Sequence, residues 1–185
     1  MRFFFKNSTL VYLCLIGLSV RAQVSNEPPE EMQQFKFLEG SWDCVMKTKL
    51  KDGSYAESKA TWTGKYVLDG FAFQDDFRSS FGQGQVYRGT TWRTYQVEEQ
   101  RWINIFLSPN DLVQAIPSDP FFTGKTCETG MCLTRRGRNQ KGTYIDKFFF
   151  VAISSDSFTW YMDRSYDDGV TWLEKVTIIK AVRTN

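Results

Sequence analysis

From Trp42 onward, apolar and polar positions trade places every second residue, and the pattern holds almost to the C-terminus. Alternation of this kind predicts strands with one buried face, because successive side chains of a strand point to opposite sides. Strands are expected near 42–50, 55–63, 65–69, 71–78, 86–95, 101–108, 112–116, 131–136, 143–153, 157–165 and 171–182. The breaks between them carry turn chemistry: Lys51-Asp52-Gly53-Ser54, Leu68-Asp69-Gly70, Phe81-Gly82-Gln83-Gly84, Val97-Glu98-Glu99-Gln100 and Asp167-Asp168-Gly169. A helical spacing occurs once, at Met32, Phe35 and Leu38, and predicts one short turn. Many short strands with no long helical pattern predict an all-β fold, an antiparallel barrel or sandwich.

The register can be tested by arithmetic. Placing Phe77 opposite Val86 sets Asp75 against Arg88, Phe73 against Thr90 and Phe71 against Trp92. The next hairpin then sets Trp92 against Ile105 and Thr90 against Leu107. Both hairpins put Phe73, Phe77, Trp92, Ile103, Ile105 and Leu107 on one face, with Gln74, Asp76, Arg78 and Arg93 on the solvent side. Asp75 and Arg88 then share the apolar face, where a charge must be paired. The pair either fixes the register or anchors a ligand in a cavity; a wrong register would leave both in water.

The N-terminus follows a different logic. Residues 1–22 carry Arg2 and Lys6, an apolar stretch from Leu10 to Val20, and a small-x-small ending at Ala22. This is the pattern of a secretory signal peptide. The stretch is shorter than the about 20 residues of a comfortable membrane span, so no stable span is expected, with an uncleaved anchor as the alternative. Residues 23–34 are expected to be a flexible leader and 35–185 the domain. The chain has 23 basic and 21 acidic residues, and removing Arg2, Lys6 and Arg21 leaves 20 against 21. The basic balance belongs partly to the leader, and nothing asks for nucleic acid.

There is no histidine in 185 residues. That excludes Ser-His-Asp and Cys-His catalysis, histidine-ligated zinc and proximal-histidine haem. No cofactor is expected; a calcium site of Asp oxygens stays open. Beyond the leader, Cys127 and Cys132 flank a tight Gly130 turn and are expected to form a disulfide, leaving Cys44 as a buried small hydrophobe. The six Trp residues and their Tyr neighbours are expected mostly as core and rim filling, with a stacking platform for sugars or flat apolar ligands as the alternative. Arg135 to Lys141 reads as a solvated basic loop, with an anionic partner or lipid head group as the alternative, and residues 117–125, with two Pro and two Phe, as a lid or edge segment.

Ser165-Tyr166-Asp167-Asp168-Gly169-Val170-Thr171-Trp172 resembles the Asp-box, a hairpin motif whose role is structural. Asp167 accepts from the turn, Gly169 supplies a positive φ, and Trp172 packs over it. With Gly40 and Trp42 opening the first strand in Phe-Leu-Glu-Gly-Ser-Trp, followed by Tyr-Val-Leu-Asp-Gly-Phe-Ala-Phe-Gln and the Asp-box-like segment, the chain resembles the lipocalin-like superfamily, the calycins, and a bacterial lipocalin-like family of unestablished function. The resemblance implies an antiparallel meander barrel with the short N-terminal helical turn closing one end, with Trp42 plugging that closed end and Lys180 or Arg183 packing across it. The haem-binding nitrobindin branch is disfavoured, because its iron ligand is a histidine.

The expected function is a secreted or periplasmic module that binds a small apolar or amphipathic ligand. Phe73, Thr90, Trp92 and Ile105 would line its cavity, with Asp75 and Arg88 as polar anchors. The alternative is a structural protein with a side-chain-filled barrel, contacting a partner of unknown identity through loops near Phe121 and Arg135. A histidine-free enzyme with Asp75 as base and Tyr87 as acid is disfavoured, because Tyr87 falls on the face opposite Arg88.

Overall fold

A computed structural model describes residues 26–80, 86–109 and 121–184. The expected leader peptide, residues 1–22, and the expected strand 112–116 lie outside them. Ten antiparallel strands form a closed barrel: β1 Gly40–Lys49, β2 Tyr55–Val67, β3 Ala72–Ser80, β4 Val86–Gln96, β5 Arg101–Leu107, β6 Phe121–Cys127, β7 Gly130–Asn139, β8 Gly142–Val151, β9 Ser157–Ser165 and β10 Leu173–Arg183. Each strand pairs with its neighbours in sequence, and β10 returns to β1. The all-β fold expected from the alternation is observed, closed into a meander barrel.

A 3-10 helix, Glu30–Leu38, lies across the end where β1 begins and β10 ends. It starts inside the expected leader. Met32, Phe35 and Leu38 are buried, and Gln34 Oε1 accepts a hydrogen bond from Trp102 Nε1 at 2.9 Å. Phe35 meets the edge of Trp102 with ring centroids 4.6 Å apart and that of Phe150 at 5.7 Å. Aromatic edge contacts of this kind add to the burial itself.

Trp42 sits beside this plug, 1% exposed. Its indole Nε1 donates to the Leu38 carbonyl at 3.1 Å. Arg183, opposite Trp42 across the β1–β10 seam, stacks its guanidinium 4.1 Å from the indole centroid. The same guanidinium donates to the carbonyls of Glu39 at 2.7 Å, Phe37 at 3.2 Å and Ser155 at 2.7 Å. Of the two basic residues expected there, Arg183 makes the contact.

Two strand boundaries differ from expectation. The expected break at Gly64 is absent, and β2 runs through it. A Cβ at Gly64 would lie 2.5 Å from the Leu38 carbonyl and 2.7 Å from the Phe73 ring. This glycine marks the close approach of the plug, not a turn. The described part of the expected lid or edge segment, from Phe121 on, belongs to β6, where Gly124 interrupts the alternation that Phe122 carries inward.

The main correction concerns β4. Phe77 pairs with Gly89, not Val86, and Asp75 pairs with Thr91, not Arg88. The displacement is three residues, an odd number, so the two faces of β4 exchange. Pairing of β4 with β5 is as expected, Trp92 with Ile105 and Thr90 with Leu107, so β5 exchanges faces with it. Tyr87, Thr91, Arg93, Trp102, Asn104 and Phe106 point inward; Arg88, Thr90, Trp92, Ile103, Ile105 and Leu107 lie on the outer face. Both faces of β4 and β5 carry large apolar side chains, so hydrophobicity alone does not choose between them. Fit decides: a Cβ at Gly89 would come 2.3 Å from the Phe106 ring, and Arg93 reaches a buried acid.

The Asp-box-like hairpin joins β9 to β10. Asp167 Oδ1 accepts from the Thr171 amide at 2.9 Å and from Ser165 Oγ at 2.7 Å. Gly169 has φ +95°, and Trp172 Nε1 donates to the Gly169 carbonyl at 3.0 Å. Hydrogen bonds from the Thr171 hydroxyl and amide, and then from Ser165, hold the Asp167 carboxyl down at about 2. The disulfide Cys127–Cys132 closes the β6–β7 hairpin, and Cys44 is free and buried.

Two outcomes follow. Trp42→Ala should lower unfolding stability by about 3–5 kcal/mol, measured by urea denaturation, with Trp42→Phe costing less. Asp167 is more acidic in the fold than at the ordinary value of about 3.9, so its contribution is fully present above that value and fades as pH falls through about 2. The thermal midpoints of wild type and Asp167→Ala should therefore differ at neutral pH and converge in acid.

Candidate functional site

Strand direction divides the barrel into two ends. The plug, the disulfide hairpin and the β4–β5 turn lie at one end; the β1–β2, β7–β8 and β9–β10 turns lie at the other. Aromatic rings fill the plugged half. The other half encloses a cavity of about 340 Å³. Its wall is largely apolar, with Trp62, Phe77, Phe148 and Trp160 among its rings. Phe148 and Trp160 stack with centroids 5.7 Å apart, and Trp62 meets Phe77 edge-on at 5.2 Å.

Two charged clusters enter this wall. The deeper one is built on β3, β4 and β5. Asp75 is 1% exposed. Its Oδ2 accepts from Arg93 Nε at 2.6 Å and its Oδ1 from Trp62 Nε1 at 2.8 Å. Arg93, 3% exposed, also donates to Asn104 Oδ1 at 3.0 Å, and Asn104 donates to the Phe122 carbonyl at 3.1 Å. The Arg93 guanidinium lies 4.7 Å from the Phe35 centroid and 5.4 Å from that of Phe150. A buried ion pair survives only when its remaining lone pairs and protons are satisfied, and this network supplies those partners.

The second cluster lies nearer the open end, on β7, β8 and β9. Asp146 is fully buried. It accepts from Arg164 Nε at 2.6 Å, Arg164 Nη2 at 2.8 Å and Arg135 Nη2 at 3.0 Å. Burial works against the charge on Arg164, but the hydrogen bonds and attraction of Asp146 outweigh it and raise its pKa. Arg164 also stacks on Tyr144 at 4.0 Å. Arg135 and Arg164 line the cavity; each side chain keeps a minor exposed fraction.

Of the residues expected to line a ligand cavity, Asp75 alone does so. Phe73 is completely buried, in the plugged half, against Phe35 and Tyr66. Arg88, Thr90, Trp92 and Ile105 are on the outer face, because β4 is displaced. Tyr87, expected outside, lines the cavity. The segment 135–141 is not a loop: Arg135 to Asn139 end β7, and Arg135 points inward. Phe121 begins β6 at the surface while Phe122 is buried, and residues 110–120 lie outside the described structure.

Arg93, Asn104, Arg135, Asp146 and Arg164 were missed, yet parity within single strands carried the signal for three of them. Arg135 follows Met131 and Leu133, Asp146 precedes Phe148 and Phe150, and Arg164 follows Phe158, Trp160 and Met162, each at two-residue spacing. Burial first, then Asp43, pushes the Cys44 thiol up to about 12, which keeps it protonated at neutral pH. Among the described residues no three Cys, Asp or Glu side chains gather to hold a metal, and no helix is long and apolar enough to cross a membrane.

A closed ten-stranded antiparallel barrel, plugged at one end and hollow at the other, is the class of protein that this arrangement defines. The chain belongs to the DUF1579 family, described as a protein of unknown function, which matches residues 27–148. No curated protein matches it in sequence. Among solved structures it is similar to Rv2717c from M. tuberculosis, with TM-score 0.60 and 12% identity, over 86% of this chain and 100% of that one. It is also similar to the S-type phycobiliprotein lyase CPES from Guillardia theta, with TM-score 0.53 and 12% identity, over 85% of this chain and 99% of that one. At this identity the likeness concerns the fold.

Replacing Asp75 with Ala should strand Arg93 in the interior and cost about 3–5 kcal/mol in urea unfolding. The double variant Asp75→Leu with Arg93→Met should recover much of that loss, because it removes both charges together.

Proposed function

We propose that this protein is a lipocalin-like, calycin-type binding module, secreted or periplasmic, whose open half holds a small apolar or amphipathic ligand. The cavity carries the reading. Its volume of about 340 Å³ falls in the range of small-molecule sites, roughly 300–1,000 Å³. Its composition also fits: aromatic and aliphatic walls with a few fixed polar groups. A purely structural barrel gains from filling its interior, as the plugged half does, because an unfilled apolar cavity costs stability. The two similar solved barrels support a fold that can serve as a cup.

Export rests on the charged, then apolar, then small-residue order of residues 1–22 and on the Cys127–Cys132 disulfide. Disulfides persist in oxidising compartments. An enzymatic reading has less support, because both oxygens of Asp75, the acid facing Tyr87's cavity, already accept hydrogen bonds from Trp62 and Arg93.

The test uses the protein without residues 1–22 and a neutral apolar fluorophore, N-phenyl-1-naphthylamine. One equivalent should bind, quenching the tryptophan emission of Trp62 and Trp160. Met162→Trp, which intrudes on the cavity, should weaken uptake at least about tenfold, equivalent to 1.4 kcal/mol. Absence of uptake, together with a ligand-free native mass spectrum after exposure to a lipid extract, would contradict the reading.

A further inference from the structure

The inward-facing charges do not balance. Among the described residues, the Asp, Glu, Lys and Arg side chains of the cavity wall and its two ion-pair clusters are Asp75 on β3, Arg93 on β4, Arg135 on β7, Asp146 on β8 and Arg164 on β9. Three are cations and two are anions. The deep pair is self-contained: Asp75 and Arg93 neutralise each other, and Trp62 and Asn104 take up remaining polar groups. The surplus positive charge therefore belongs to the outer cluster, where Asp146 faces Arg135 and Arg164 together.

Within that cluster the two arginines are not equivalent. Arg164 forms a two-pronged contact with Asp146 through Nε and Nη2. Arg135 reaches Asp146 through Nη2 alone, and its Nε is buried without a hydrogen-bond partner. A buried, unmatched donor on a cation is costly. An arginine fork is shaped for a planar carboxylate. Arg135 also lines the cavity beside Leu133 and Phe148, so a group placed against it would have its apolar body in the cup.

Deepening the proposed function and resting on it, we propose that the ligand is an amphiphilic monocarboxylic acid, its head held by Arg135 at the outer cluster and its apolar body among Phe148, Trp160 and Trp62. The bound carboxylate cancels the surplus charge and gives Arg135 an acceptor. A second anion has no counter-charge left to meet, so the site prefers a single charge. The order along each strand places the head toward the open end: Arg135 lies two residues beyond Leu133, and Arg164 two beyond Met162.

The experiment is displacement of N-phenyl-1-naphthylamine at neutral pH by decanoate, decanol and decylamine, which share one chain and differ in head group. Decanoate should displace the probe at a concentration at least about tenfold lower than decanol, because it gains a charge-assisted hydrogen bond, and decylamine should be weakest. Arg135→Leu leaves Asp146 paired with Arg164, and it should bring the decanoate-to-decanol ratio down towards one. If the probe binds but the three compounds compete equally, the cup is blind to charge; the carboxylate proposal falls while the binding module stands. A preference for decanoate that Arg135→Leu leaves intact also overturns it. If the probe and the three compounds all fail to bind by native mass spectrometry, both readings fall. Should the variant not fold, the wild-type ratio alone decides.

Discussion

A sheet that rolls into a barrel must join its first strand to its last, and here the seam of β1 with β10 ends, at the plug, on Trp42 and Arg183. The two residues face each other across the β1–β10 seam. Arg183 stacks on the indole and binds the carbonyls that end the 3-10 segment, while the indole binds the Leu38 carbonyl. A flexible basic side chain thereby ties three pieces of chain together: the first strand, the last strand and the plug. Cation–π attraction of about 0.5–2 kcal/mol is a modest part of this. The larger part is that carbonyls at the buried end of the plug find donors, which they must.

Sealing one end has a consequence for the other. The 3-10 helix brings Met32, Phe35 and Leu38 into the barrel, and they fill only the half next to it. Arg93 lies at the boundary, with its guanidinium over Phe35 and Phe150 below and its carboxylate partner, Asp75, on the cavity wall. Beyond that boundary the rings of Trp62, Phe77, Phe148 and Trp160 stand around open space. The plug, the polar boundary and the cup are one arrangement along the barrel axis.

Much of the fold was legible because the chain keeps period two from Trp42 to the end. The plug was legible from Met32, Phe35 and Leu38, the turn at Asp167 from its motif, and the Cys127–Cys132 bridge from its spacing. The cavity lining was less so. On β4 and β5 both stripes are apolar enough to be core, Trp92 with Ile105 on one side and Trp102 with Phe106 on the other. What separates them is the match between Arg93 and Asp75 across strands, together with room for the Phe106 ring over Gly89. Neither is a property of a single strand. Arg135 was concealed for another reason: a run of basic residues at a hairpin looks like a solvated turn, although its first member keeps the parity of Leu133.

The most direct test of a barrel plugged below and hollow above is a crystal structure of the protein soaked with decanol. The account predicts ligand density in the cup between Trp62, Phe148 and Trp160, with Asp75 still bound to Arg93 and Arg183 still over Trp42. Density on the outer face, against Trp92 and Ile105, or a cup closed up by its own side chains, would contradict it.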